Sequence, residues 1–208
     1  MSGLIYYILD TETTGYSPKL HEICQLSLIR TSDRHQLDRD VICEFPERAS
    51  PEALKINGKS KRDLLRGTCK EDVVEAFDNF IAKDEATPEH RVIVAHVAHF
   101  DRGFMHALYT KVGKVFPAIN WLDTKNLASN FAKKQGIEKP ELTLLASMNL
   151  LDVKPFVGKN HTAQHDARNA YLLWKKAMDL GIDYLPYIKR KPHLSSSSHE
   201  DIGDSHEE

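Results

Sequence analysis

The sequence predicts an α/β fold, a mixed central β-sheet flanked by helices, and three observations carry that prediction. Residues Leu4 to Leu9 form an unbroken apolar run rich in β-branched and aromatic side chains, the pattern of a strand buried on both faces. Two further strand-like runs follow, separated by a polar turn, which is the pattern of an antiparallel meander. Strand-like and helix-like periods then alternate, as they do where helices cover a sheet.

Taken in order, the apolar run at 4–9 is the first and central strand. Glu22 to Arg30 and Leu37 to Phe45 are the next two, joined by Thr31-Ser32-Asp33-Arg34. Thr68 with Glu71 three residues later forms a capping box, and Val73, Val74, Phe77, Phe80 and Ile81 recur at helical spacing, so 69–83 is a helix with one apolar stripe. Arg91 to Ala95 is a short buried strand. Asp101 to Val112 is a helix with Phe104, Met105, Leu108 and Val112 inward, and Ile119 to Leu122 is another strand. Helices follow over 124–134 and 141–149, then a loop with Pro155 and Gly158, then a long helix over 162–180 carrying Ala163, Ala167, Ala170, Tyr171, Trp174 and Ala177. Trp121 and Trp174, inside apolar elements, read as core. From Pro192 onward the chain is rich in Ser, His and acids with little to bury, so the expectation is one domain over 1–191 and a disordered acidic tail over 192–208.

A chain of 208 residues with 41% hydrophobic and 28% charged residues suits one soluble domain with a real core. No run approaches the roughly 18 apolar residues of a membrane helix. The first apolar stretch lacks a basic flank and stops at Asp10, unlike a signal peptide, which disfavours secretion. Cys24, Cys43 and Cys69 are odd in number and have no CxxC spacing, so they read as reduced, buried thiols of a cytoplasmic-type compartment. The net charge of -2 hides an asymmetry: five acids and no Lys or Arg lie in 193–208, leaving 28 basic against 25 acidic residues, a net of +3, over 1–192. That excess neither demands nor forbids a nucleic-acid ligand.

The chemistry sits at element boundaries. Asp10 and Glu12 lie where the central strand ends, and positions i and i+2 of a strand share a face. Two carboxylates side by side repel unless a cation neutralises them, which suggests a hard divalent ion such as magnesium or manganese. The next buried strand runs into His96-Val97-Ala98-His99-Phe100-Asp101, and the last helix opens with His161 and, five residues on, Asp166. Strand ends of open α/β sheets are where such segments converge. His96, His99, His106 and His165 raise a zinc site, but the acids favour oxygen-preferring ions and no Cys completes a zinc set.

Three ordered motifs resemble those of the DEDDh 3′→5′ exonucleases, a proofreading-subunit-like family with the ribonuclease H-like fold. Asp10-Thr11-Glu12-Thr13-Thr14-Gly15 is similar to its first motif, Ala95-His96-Val97-Ala98-His99-Phe100-Asp101 to its second, and His161-Thr162-Ala163-Gln164-His165-Asp166-Ala167 to its third. Ser50-Pro51-Glu52-Ala53-Leu54-Lys55-Ile56-Asn57-Gly58 looks like its Pro-x-Ala segment near the terminal nucleotide. Two departures stand out: Asn57 where His is common, and Val97 where Asn is usual.

The resemblance implies a single-domain nuclease that releases nucleoside 5′-monophosphates from 3′ ends. Asp10, Glu12, Asp101 and Asp166 would hold two Mg2+ or Mn2+ ions, Asp101 directly or through water, and His161 would be the general base. Thr11, Thr13, Thr14, Glu52, Asn57, His96 and Phe100 would contact substrate, Phe100 serving equally well as a core anchor. Two ions about 4 Å apart activate a water and stabilise both attacking and leaving oxygens at phosphorus, and an imidazole with an ordinary pKa of about 6.5 accepts that water's proton. Single-stranded DNA is the favoured substrate over RNA, with a polymerase or replication partner implied and no membrane. The alternatives are an exoribonuclease or oligonucleotide-trimming enzyme and, from another class, a non-catalytic polymerase-accessory module. The cluster Lys59, Lys61, Arg62 and Arg66 reads slightly better as a solvated helix face than as a phosphate track.

Overall fold

The computed structural model describes residues 3–158 and 161–182; the expected tail lies outside them. Its centre is a five-stranded sheet of order β3-β2-β1-β4-β5, formed by β1 (Ile5–Thr13), β2 (Ile23–Arg30), β3 (Gln36–Asp40), β4 (Arg91–Ala95) and β5 (Asn120–Asp123). The meander pairs β3, β2 and β1 antiparallel, while β4 and β5 continue parallel to β1. Helices α1 (Pro51–Asn57), α2 (Lys70–Ala82), α3 (Ala98–Lys111), α4 (Thr124–Lys134), α5 (Leu144–Leu150) and α6 (Ala163–Asp179) complete the order.

Alternation along β1 divides the core in two. Tyr7 and Leu9 join Leu26, Leu28 and Ile93 under α2 and α3, whose Val73, Val74, Phe77, Phe104 and Met105 close that side. Ile8 joins Val92, Val94 and Leu122 under α4, α5 and α6, through Leu127, Met148, Ala167, Ala170 and Leu173. Small alanines on α6 let that helix lie close to the sheet. Each large apolar side chain so buried contributes roughly 1.5–3 kcal/mol. Trp121 is buried in the first cluster and Trp174 packs against the second, as expected. No helix among the described residues is long and apolar enough to cross a membrane.

Four local expectations are corrected, each for a tertiary reason. The third strand ends at Asp40 rather than Phe45, because Ile42 and Cys43 donate to the carbonyls of Thr68 and Leu64 in the loop before α2. The same pairing holds Thr68 extended, so α2 starts after Cys69 with no side-chain cap and the Thr68/Glu71 box does not form. Residues 51–57, unassigned from sequence, are α1: Ser50 Oγ accepts from Ala53 N, Pro51 occupies the first turn, and Gly58 ends the helix at φ 65°. Finally, α3 begins three residues before Asp101, because a side chain from another element caps it. Of the cysteines, Cys24 and Cys43 are buried, whereas Cys69 is only half-buried.

That cap is Asp123, at the end of β5. Its Oδ1 and Oδ2 accept the N–H groups of Val97 and Ala98, both at 3.0 Å, and Oδ1 also accepts Lys125 N at 2.9 Å, so one carboxylate starts both α3 and α4. Val97 is thereby held at φ 66°, a left-handed conformation that a β-branched residue adopts only under strain. Asp123→Ala, stranding these amides, should lower stability by roughly 2 kcal/mol, whereas Val97→Asn should raise it by about 1 kcal/mol, since Asn tolerates this conformation. Thermal unfolding of the two variants, with shifts of opposite sign and about 2–4 °C per kcal/mol, checks both.

Candidate active site

The parallel register between β1 and β4 stops at Ile8 opposite Val94, yet β1 runs on to Thr13, paired beyond that point with β2 alone. One edge of the central strand is therefore open where Asp10, Thr11 and Glu12 lie. The backbone N–H of Thr11 on that edge donates to Asp101 Oδ1 at 3.0 Å, and its hydroxyl donates to the same oxygen at 2.8 Å. Asp101 is thus tied to the strand end from the α3 side of the sheet. Asp10 and Glu12, on the opposite face with Ile8, look toward α6 and meet Asp166. Asp101 and Asp166 are each the fourth residue of their helix, α3 and α6, where the helix dipole favours an anion.

Asp10, Glu12 and Asp166 each offer a carboxylate oxygen, all within 4.8 Å of one another. Loss of solvent, and then the neighbouring acids Asp101, Glu12 and Asp166, push Asp10 well above the usual carboxylate range. Glu12 is pushed up to about 7, first by burial and then by Asp166 and Asp101, with Lys59 acting in the opposite sense. Burial raises Asp101 to about 7 despite its two bonds from Thr11. These carboxylates are held together against their own repulsion, and their all-oxygen donor set fits a hard divalent cation such as Mg2+ or Mn2+. Among the described residues Asp10, Glu12 and Asp166 form the only group of three able to hold a metal; the histidines that raised a zinc site gather into no such group.

The third motif is braced from several sides. Thr162 Oγ caps α6 by accepting His165 N. His165, buried, has Nδ1 3.0 Å from Asp166 Oδ1, and its Nε2 donates to the carbonyl of Phe156 at 2.9 Å. Asn169 Oδ1 accepts Phe156 N at 2.7 Å, so the loop before the motif is pinned to α6. Gly158 is required there, because a Cβ would lie 2.7 Å from the His165 ring. Gly15 of the first motif is required for the same kind of reason, its Cβ position being filled by the His21 ring. His161 lies in the loop leading into α6, exposed, at φ 59°.

The remaining expected contacts divide. Thr11, Thr13, Asn57 and Phe100 line a pocket of about 120 Å³ beside Glu12. Phe100 also packs on Phe104, with ring centroids 4.9 Å apart, at the edge of the core. Asn57, buried, donates to the carbonyl of Thr13 and so holds the end of β1 as well as the pocket wall. The other three are placed elsewhere. Thr14 is buried and its hydroxyl accepts Glu22 N. Glu52 is exposed on α1, taking a bond from Ser50 Oγ. His96 uses both ring nitrogens internally, on Thr124 Oγ1 at 2.9 Å and the carbonyl of Leu142 at 3.0 Å, and burial lowers its pKa.

Three residues escaped the sequence reading. Tyr16, 67% exposed, lines the pocket immediately after the first motif. Asp123 starts α3. Gln25 stands opposite Glu12 in the β1–β2 register, and its Oε1 accepts Ala163 N at 2.9 Å, joining the Glu12 strand pair to the first residue of α6. A polar residue amid the apolar run Ile23–Ile29 was the available signal for Gln25.

A family model described as Exonuclease (RNase T) matches residues 7–174. Ribonuclease T of Haemophilus influenzae is 26% identical over 209 residues, covering 93% of this chain and 86% of that protein. A PolC-type DNA polymerase III of Thermotoga petrophila is 28% identical over 164 residues, 78% of this chain and 11% of that protein. Among solved structures, the nuclease domain of 3′hExo, a DEDDh family member bound to rAMP, has a TM-score of 0.69 at 16% identity, covering 90% of this chain and 97% of that one. The fold is the ribonuclease H-like one.

Because Glu12 and Asp101 are raised in the folded state, the fold binds protons that the unfolded chain has lost. Their contribution to stability is present below about pH 4 and is lost as pH rises through about 7. In chelator the melting temperature should therefore fall between pH 5.5 and pH 8, and Mg2+ should restore more of it at pH 8 than at pH 5.5. Asp10→Asn should raise the chelated protein's melting temperature at pH 8 by about 3–5 °C and abolish most of the Mg2+ response, both read by differential scanning calorimetry.

Proposed function

As a member of the exonuclease family whose model spans residues 7–174, the chain is a 3′→5′ exonuclease, and on that premise we propose that it shortens single-stranded nucleic acid, DNA first, by two-metal-ion hydrolysis. The observation that supports this most directly is the convergence of Asp10, Glu12 and Asp166, with Asp101 tied beside them by Thr11. Asp10, Glu12 and Asp166 are the residues to hold Mg2+ or Mn2+, with Asp101 the fourth acid; bound there, the ions supply Lewis acidity at phosphorus and a more acidic attacking water.

The chain's own residues supply the rest. The pocket lined by Thr11, Thr13, Tyr16, Asn57 and Phe100 seats the terminal nucleotide, with the rings of Tyr16 and Phe100 available to its base. His161, the exposed first residue of the third motif, takes the proton of the attacking water. His165 holds Asp166 in place and Gln25 holds the start of α6, so that His161 and Asp166 stay in register with Glu12. Single strands are favoured because the terminal linkage must reach the acids, and unpaired bases cost less to splay. The PolC-type relative supports DNA and a polymerase partner, while the Ribonuclease T relative, similar along its length, supports the second reading, an exoribonuclease. Three free cysteines suit a reducing, cytoplasmic setting.

A denaturing-gel time course with 5′-labelled single-stranded DNA and RNA of one sequence is the test. The expected result is a ladder shortening from the 3′ end with Mg2+ or Mn2+, absent in chelator, and faster on DNA. Asp10→Ala should abolish it, and His161→Ala should slow it by about 10²–10⁴-fold. Faster cleavage of RNA would establish the second reading, and no cleavage of either polymer would sink both.

A further inference from the structure

The basic cluster after α1 does not lie on a helix face. Gly58, Lys61 and Arg62 lie in turns, Lys59 and Ser60 in irregular chain and Asp63–Leu65 in a single 3-10 turn, and the segment forms one wall of a groove of about 370 Å³. Its other walls include Gln25, Asp40 and Thr162, with Lys59 and Arg66 supplied by the segment itself. The groove shares Asn57 with the pocket beside Glu12. Lys59 stands close enough to Glu12 to oppose the other acids acting on its carboxyl. A strand whose 3′ end occupied that pocket would find this groove adjoining.

We propose that the groove is a second subsite, which takes backbone phosphates on the 5′ side of the terminal nucleotide, with Lys59 and Arg66 as the cations that meet them; this deepens the nuclease reading and rests on it. The side chain of Lys59 is only 18% exposed, fixed by an ion pair of 2.7 Å with Asp40 Oδ1. The same oxygen accepts Gln25 Nε2 at 3.2 Å, and Gln25 Oε1 accepts the Ala163 amide. One chain of contacts therefore runs from Lys59 to the N-terminus of α6, whose partial positive charge adds to the field.

Two acids also line the groove, Asp40 and Asp63. Lys59 neutralises Asp40, while Asp63 turns back on Ser60, accepting its N–H at 2.8 Å and its hydroxyl at 2.6 Å. Arg66 is exposed and has no ion pair within 4 Å among the described residues. Lys61 and Arg62 of the same segment are also exposed. An arginine with no ion pair within 4 Å beside a lysine held in place is an arrangement suited to a chain of phosphates rather than to one apolar ligand.

Fluorescence anisotropy in chelator, where nothing is cleaved, tests this with a labelled ten-nucleotide single-stranded DNA and its RNA counterpart from 50 to 200 mM salt. Arg66→Glu should weaken binding about fivefold or more at low salt and make the slope of log K against log salt shallower by about 0.7. Asp40→Asn, which keeps the bond to Gln25 but frees Lys59, should tighten binding about two- to threefold. Lys175→Glu, near the other end of α6 and paired there with Asp179, should bind as the parent does. Unaltered affinity in Arg66→Glu, or an equal loss in Lys175→Glu, would overturn the subsite. A parent protein that binds in an Arg66-dependent way but cleaves neither polymer would keep the subsite and discard the nuclease reading.

Discussion

The structure depends on one inequality of length: the central strand β1 outlasts its parallel neighbour β4. Past Ala95 one edge of β1 has no strand beside it, and a buried backbone N–H with no partner is costly. Asp101 supplies the partner to Thr11, so the fold's own hydrogen-bond requirement places an acid from the α3 side at the end of β1. Alternation then turns Asp10 and Glu12 the other way, toward Asp166 on α6. Four carboxylates from three elements meet around one strand end because the strand has two faces and one open edge.

That meeting is unfavourable in itself, and the surrounding structure holds it in place. Burial and repulsion raise Asp10, Glu12 and Asp101 together, so the fold carries charge strain at this strand end, and a divalent cation would relieve it. Asp123 holds α3 through two amides and a strained Val97. Gln25 and His165 hold the start of α6. Asp123 and His165 line neither the pocket nor the groove, and Gln25 lines only the groove, yet each of the three fixes an element that carries an acid. The groove beside Lys59 draws on the same scaffold, since Gln25 bonds both Asp40 and α6.

Much of this was legible in the residue string, for reasons that particular elements make clear. The run Leu4–Leu9 is apolar throughout because β1 is buried on both faces, so its central place could be read directly. The stripe Val73, Val74, Phe77, Phe80 and Ile81 announced α2 by its period. Boundaries failed where a distant partner decided them: the loop at Leu64–Thr68 cuts β3 short, and Asp123 starts α3 early. The partners of His96 were not legible either, since Thr124 and Leu142, which take both its nitrogens, lie 28 and 46 residues away.

By itself the sequence determined the α/β class with a mixed sheet flanked by helices, the acids at element ends and the family they resemble, because period, burial pattern and motif spacing are local properties of the chain. Only the tertiary structure decided which oxygens converge, that Asp101 arrives from the opposite face, and that Lys59 and Arg66 wall a groove rather than coat a helix. Those outcomes depend on strand register and on bonds between residues far apart in the chain, such as Gln25 to Ala163. No local pattern encodes the relative lengths of two neighbouring strands, and here that difference positions the site.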